Sequence, residues 1–310
     1  MAISLILLEQ IVQLFLILLM GYVVVKIKLL RPEDSRVLSV VMVYLVTPCM
    51  IINSFQVDYT PQIIGGLLFA FVLAIAGHVL FLLVCRLLRR PLRLDDIERC
   101  AVIYTNGGIL VIPLVQALLG ETYVIYCCAF IVVQQVLIWT HCRSLLCGTA
   151  SLDWKKILGN INIIAILIGA ALFVLRVPLP SVINDTLATT GSLLGPLGML
   201  LSGMVIADAP IGKLFSTPRN YVAVFLRLLL CPVLTVLLLR AVGAAGWIAD
   251  GKNIMMTVYI ACITPACATV TSLAQLYERD AAHASALYVL STLLSIVTMP
   301  VMIGVFDALI

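Results

Sequence analysis

From Ile63 to Cys85 the chain reads IIGGLLFAFVLAIAGHVLFLLVC, a run with no acidic, Lys or Arg side chain and one histidine, His78. A stretch this long and apolar is sized to cross a bilayer as a helix. Lipid offers no partner to a free N–H or C=O, so a chain made of such stretches must fold as packed helices. They recur roughly at 5–25, 37–55, 63–85, 100–119 and 122–142, then at 159–176, 186–207, 221–242, 254–276 and 283–306. The expectation is an all-α polytopic membrane protein of ten transmembrane helices with short connections. With 63% hydrophobic residues, 11% charged and a mean hydropathy of +1.18, no soluble domain is left over. The longest other segments, 86–99 and 143–158, are too short to bury a core. Met1 to Val25 has no Lys or Arg before Lys26 and reads as a retained first span rather than a secretory signal.

Basic residues sort by side. Lys26, Lys28, Arg31, Arg36, Arg86, Arg89, Arg90, Arg93, Arg99, Arg143, Lys155, Lys156, Lys213, Arg219 and Arg279 fall in or beside odd-numbered connections, against Arg176, Arg240 and Lys252 in the even ones. The positive-inside rule then puts odd loops in the cytoplasm and both termini outside, in a multi-pass protein of the cytoplasmic membrane. The net charge of +4 reports this topology and implies no nucleic-acid partner. The ten cysteines show no CxxC or metal-type spacing and read as buried thiols, with no cofactor or metal expected.

Helix breakers narrow the reading further. Tyr104 to Gly120, YTNGGILVIPLVQALLG, places Asn106, Gly107, Gly108 and Pro113 inside span four; Thr264-Pro265 interrupts span nine about half a chain later. Thr47-Pro48 in span two and Gly195-Pro196 in span seven form a second matched pair. Five spans per half is an odd number, so the halves, 1–150 and 151–310, would be inverted repeats, the plan of many secondary transporters. If broken spans four and nine cross near the midplane, two half-helix starts carry partial positive charge into one cavity. No Asp or Glu interrupts spans four, five or nine as bounded above, which favours an anionic substrate over a cation.

Candidate binding residues are Asn106 and Gly107 at the first break, Gln135 in span five, Thr264, Pro265 and Thr269 at the second break, and Asn53 in span two. Polar residues at membrane depth, Gln134 and Thr271 among them, also serve as interhelical hydrogen-bonding groups. Arg227 lies inside span eight, either facing the cavity or snorkelling to headgroups. His78 could carry a proton or remain neutral and hydrogen-bonded. Gly191, Gly195, Gly198 and Gly203 form a small-residue face suited to packing within the chain. There is no HExxH, GxSxG or pair of membrane aspartates, so the chain does not read as an enzyme.

The segments YLVTPCMIINSF, TNGGILVIPLVQALLGE, VVQQVLIWT, LGMLLSGMVIA and ITPACATVTSLAQLYERDAAHASALYVLSTLLSIVTMPV resemble the auxin efflux carrier family over nearly the whole chain. That family includes plant PIN proteins and bacterial transporters of small organic acids. The resemblance implies a fold similar to sodium/proton antiporters and bile-acid transporters. It implies a scaffold of spans one, two, six and seven, a transport domain of spans three to five and eight to ten, elevator-type alternating access and a homodimer. The family's crossover asparagine falls on Asn106, its prolines on Pro113 and Pro265, and its span-five glutamine on Gln135. The second span-nine proline, near Val270 or Thr271, is missing, as is the long loop after span five. The expected function is secondary transport of a small organic anion, with proton or sodium coupling open. The alternative is a sodium-coupled carrier of the bile-acid type, or a cation/proton exchanger of the same fold.

Overall fold

The structure, a computed structural model, describes residues 2–107, 110–148, 155, 158–208 and 215–310. Gly108 of the first break and the expected boundary between 150 and 151 lie outside the described residues. Every regular element among the described residues is helical. In chain order these are α1 (Ala2–Lys26), α2 (Pro32–Ser54), α3 (Pro61–Leu88), α4 (Asp96–Ile103), α5 (Val111–Leu119), α6 (Glu121–Cys147), α7 (Ile161–Leu175), α8 (Ser181–Ala207), α9 (Pro218–Val242), α10 (Gly251–Ile263), α11 (Ala268–Leu276) and α12 (Ala281–Leu309). Six of them, α2, α3, α6, α8, α9 and α12, are long and apolar enough to cross a membrane.

Local chemistry explains the boundaries. Proline at the first helical position starts α3 behind Thr60, whose hydroxyl accepts from Ile63 N. Asp95 and Glu98 form a capping box at the start of α4, each side chain accepting the other's backbone N–H. Asn160 and Asp280 are simple N-caps of α7 and α12, their amide and carboxyl oxygens accepting from Asn162 N and His283 N. A proline inside a helix removes one hydrogen bond and crowds the carbonyl four residues earlier. The chain accommodates Pro48 and Pro232 by π turns at Met42–Val46 and Leu226–Leu230 immediately before them. Thr47 Oγ1 donates to Met42 O at 2.8 Å, a second bond to the carbonyl that already accepts from Thr47 N in the first of these turns.

Two sets of helices pack mainly among themselves. α1 lies along the second half of α8, while α2 packs on α7 and on the first half of α8. α3, α6, α9, α10 and α12 form the other set, enclosing the broken helices. Gly21 and Gly203 allow the close approach of α1 and α8: a Cβ at Gly203 would overlap the Leu18 carbonyl oxygen, and one at Gly21 that of Leu200. Gly203 therefore packs within the chain, as the small-residue face led us to expect. Large apolar residues such as Leu68, Val72 and Leu87 on α3 point outward, a pattern suited to lipid and not to water.

Candidate functional site

Helices α4 and α10 both end inside the protein, and the extended segments that follow them cross. Thr105 and Ala266 form an antiparallel bridge. Asn106 N donates to Pro265 O at 2.8 Å, and Cys267 N donates to Tyr104 O at 3.0 Å. Thr264-Pro265 produces the second break because proline disfavours helical backbone at the residue before it, and Thr264 is extended at φ −65°, ψ 155°.

Freed backbone groups in such a place must find partners. Gln134 of α6 supplies them for Thr105, its Oε1 accepting from Thr105 N at 2.9 Å and its Nε2 donating to Thr105 O at 2.9 Å. The same Oε1 accepts from Thr105 Oγ1 at 3.0 Å. Ser291 Oγ of α12 accepts from Ala266 N at 3.1 Å. Arg227 of α9 serves the helix ends: its guanidinium donates to Val102 O at 2.8 Å, to Thr264 O at 3.1 Å and to Cys262 O.

Arg227 is 1% exposed, with its guanidinium carbon 4.8 Å from the Phe81 ring centroid. The side chain points inward to the crossing and does not snorkel. Asn106 is 2% exposed, and its Nδ2 is buried with no hydrogen-bond partner among the described residues. Gly107 is tightly enclosed, since a Cβ there would sit 3.2 Å from Thr105 Oγ1 and 3.3 Å from Gln134 Nε2. His78 is buried against Phe130, its Nδ1 2.8 Å from Ala74 O.

The other sequence candidates divide between the crossing and elsewhere. Thr264 and Pro265 belong to the crossing, with Thr264 Oγ1 donating to Ala261 O at 3.0 Å. Pro113 sits in the first turn of α5. Thr269, in the first turn of α11, lines a cavity of about 800 Å³. That cavity lies between the two sets of helices: Ser39 and Met42 of α2 face Thr269 and Thr271 of α11, with Arg36 and Tyr288 also in its wall. No carboxylate lines it among the described residues. Tyr288 OH lies 3.0 Å from Ser202 Oγ, a hydrogen bond between α12 and α8. Asn53 is elsewhere, lining a separate cavity of about 360 Å³ with Glu121 and Asp185.

Of the two adjacent glutamines, Gln134 holds the crossing; Gln135 is half-buried beside it. The signal for Gln134 was present in the sequence. It falls on the stripe of Cys127, Phe130, Ile131 and Ile138, all buried, at helical spacing. A polar residue on a buried stripe needs an internal partner.

An acid missed by the sequence reading is Glu98, which is fully buried at the start of α4, just before the range expected for span four. Arg219 of α9 grips both of its carboxylate oxygens at 2.5 Å and donates to Leu92 O and Arg93 O. His283 of α12 approaches the same group, 3.5 Å from Asp95 and 4.0 Å from Glu98. This network ties α4, α9 and α12 together.

No curated protein matches the chain. A family model described as membrane transport protein, the auxin efflux carrier domain, matches it twice, over residues 6–150 and 146–303. Together the two matches span nearly the whole length, including both breaks and the helices that support them, so the chain belongs to the auxin efflux carrier family of membrane transport proteins.

Proposed function

We propose that the protein is a secondary carrier of small organic anions, mono- or dicarboxylates or auxin-like acids, working by elevator-type alternating access. The observation that carries this reading is the crossing itself. α5 and α11 start beside it, α5 without a side-chain cap, and the first-turn amides of a helix together carry roughly half a positive charge. Asn106 adds a buried amide donor with no partner among the described residues. The 800 Å³ cavity that reaches Thr269 carries hydroxyls and Arg36. These groups suit a carboxylate and offer little to a cation.

In this reading the chain crosses the membrane ten times, α4 with α5 and α10 with α11 each forming one broken crossing, in two inverted five-helix units. α1, α2, α7 and α8 form the scaffold, and the remaining helices carry the substrate. The cavity lies between these two groups, and Arg36 in its wall is at the cytoplasmic end by the distribution of Lys and Arg. Both termini are then outside, in the cytoplasmic membrane, and the carrier is a homodimer. Asn106, Gly107, Thr264, Pro265 and Thr269 frame the bound anion, while Pro113 shapes the start of α5. Gln135 stands at the edge of that site, and Asn53 serves the opposite opening.

Solid-supported-membrane electrophysiology on the protein in liposomes tests this. Malate, malonate, lactate and indole-3-acetate would be presented with and without sodium or proton gradients. A saturable current for one acid, lost in Asn106→Ala, is the expected result. Silence to all acids with a response to cations alone would move the protein to the exchanger branch of the fold.

A further inference from the structure

In transporters with broken helices, unwound carbonyls and half-helix C-terminal ends are where a coupling cation is held. Here those groups are engaged by a side chain. Val102 O at the end of α4, and Cys262 O and Thr264 O at the end of α10, converge on the single guanidinium of Arg227. Each helix end carries roughly half a negative charge. One guanidinium therefore balances both, and it is held in place by burial and by the face of Phe81.

We propose that Arg227 is a resident cation standing where a coupling cation would bind, so that the carrier operates without a sodium ion at its crossing. Arg227 is then a positioning residue. It fixes the α4 and α10 ends, and through the Thr105–Ala266 bridge it sets the starts of α5 and α11, while the substrate meets those starts and not the guanidinium. Because its charge cancels that of the C-terminal ends, the positive ends of α5 and α11 remain uncompensated for an anion. The proposal rests on the carrier reading above, but its first test does not require transport.

Thermal unfolding of the purified protein is followed in sodium chloride and in choline chloride at equal ionic strength. The wild-type midpoint is expected to be the same in both; a saturable upward shift with sodium would overturn the proposal. Arg227→Ala should lower the midpoint by several degrees. Millimolar methylguanidinium should restore about half of the loss by binding the folded state, whereas choline should not. No loss, or no recovery, would count against a cation role. Arg227→Lys should retain clearly more stability than Arg227→Met; equal loss in the two would reduce Arg227 to packing. Should all three variants fail to fold, the wild-type sodium comparison still decides. An absence of acid-driven current in wild type, with these thermal results intact, would refute the carrier reading and leave the role of Arg227 standing.

Discussion

Gln134 and Gln135 differ by one position and about 100° of helical rotation, and only Gln134 is bonded to Thr105. Gln134→Leu would leave Thr105 N and O unpaired in an apolar interior, at about 1–3 kcal/mol for each group. We expect a large fall in thermal midpoint and little surviving transport. Gln135→Leu leaves those bonds intact, so stability should be near wild type, and any loss should appear in substrate affinity, read from concentration-dependent currents. Arg219→Ala leaves the buried Glu98 carboxylate with the Asp95 N–H but without its two-pronged cation and should destabilise by about 1–3 kcal/mol, measured as a lowered midpoint. Arg219→Lys should recover only part of this, because an ammonium cannot reproduce the two-pronged grip. Asn106 was legible in the sequence beside its glycines. The partners of Arg227 were not, because they are backbone carbonyls, 125, 37 and 35 positions away, that no residue type announces. Glu98 was half legible: the Asp95–Glu98 spacing announces a capping box, but its pairing with Arg219, 121 residues on, exists only in the fold.

Among helices, periodicity and length read well because the apolar runs are long and the breakers few. Helices occupy the expected apolar ranges, and the gaps at Tyr104–Asn106 and Thr264–Ala266 lie at the anticipated breaks. What the sequence left open was how prolines inside a run are absorbed, since a π turn costs no change of element and leaves no compositional mark. The contact of α1 with α8 is the most sharply testable packing feature. Gly203→Val must push the helices apart against the Leu18 carbonyl, and Gly21→Val against that of Leu200, so both should give a lower midpoint and a less monodisperse elution profile. Gly304→Ala, where no described residue lies within 4 Å of the new methyl, should not lower the midpoint or broaden elution in the same assays.

For the molecule as a whole, the elevator proposal requires the two groups of helices to slide past one another, and the Ser202–Tyr288 hydrogen bond spans their boundary. Tyr288→Phe removes it while keeping the ring. Expected is an unchanged midpoint with altered turnover, measured as the decay of substrate-induced current; unaltered turnover would mean that this contact does not report a state of the cycle. The crossing has a consequence for how such a chain can change over time. Its tie is made by main-chain atoms of Tyr104, Asn106, Pro265 and Cys267, which every amino acid except proline can supply at the donor positions. Pro265 apart, sequence drift at the tie is therefore limited mainly by size, whereas the side chains that buttress it, Gln134, Ser291 and Arg227, have few chemical substitutes. A saturation mutagenesis scan selected for folded protein should show its deepest intolerance in that surrounding ring, on α6, α12 and α9, with a shallower profile along the crossing strands themselves.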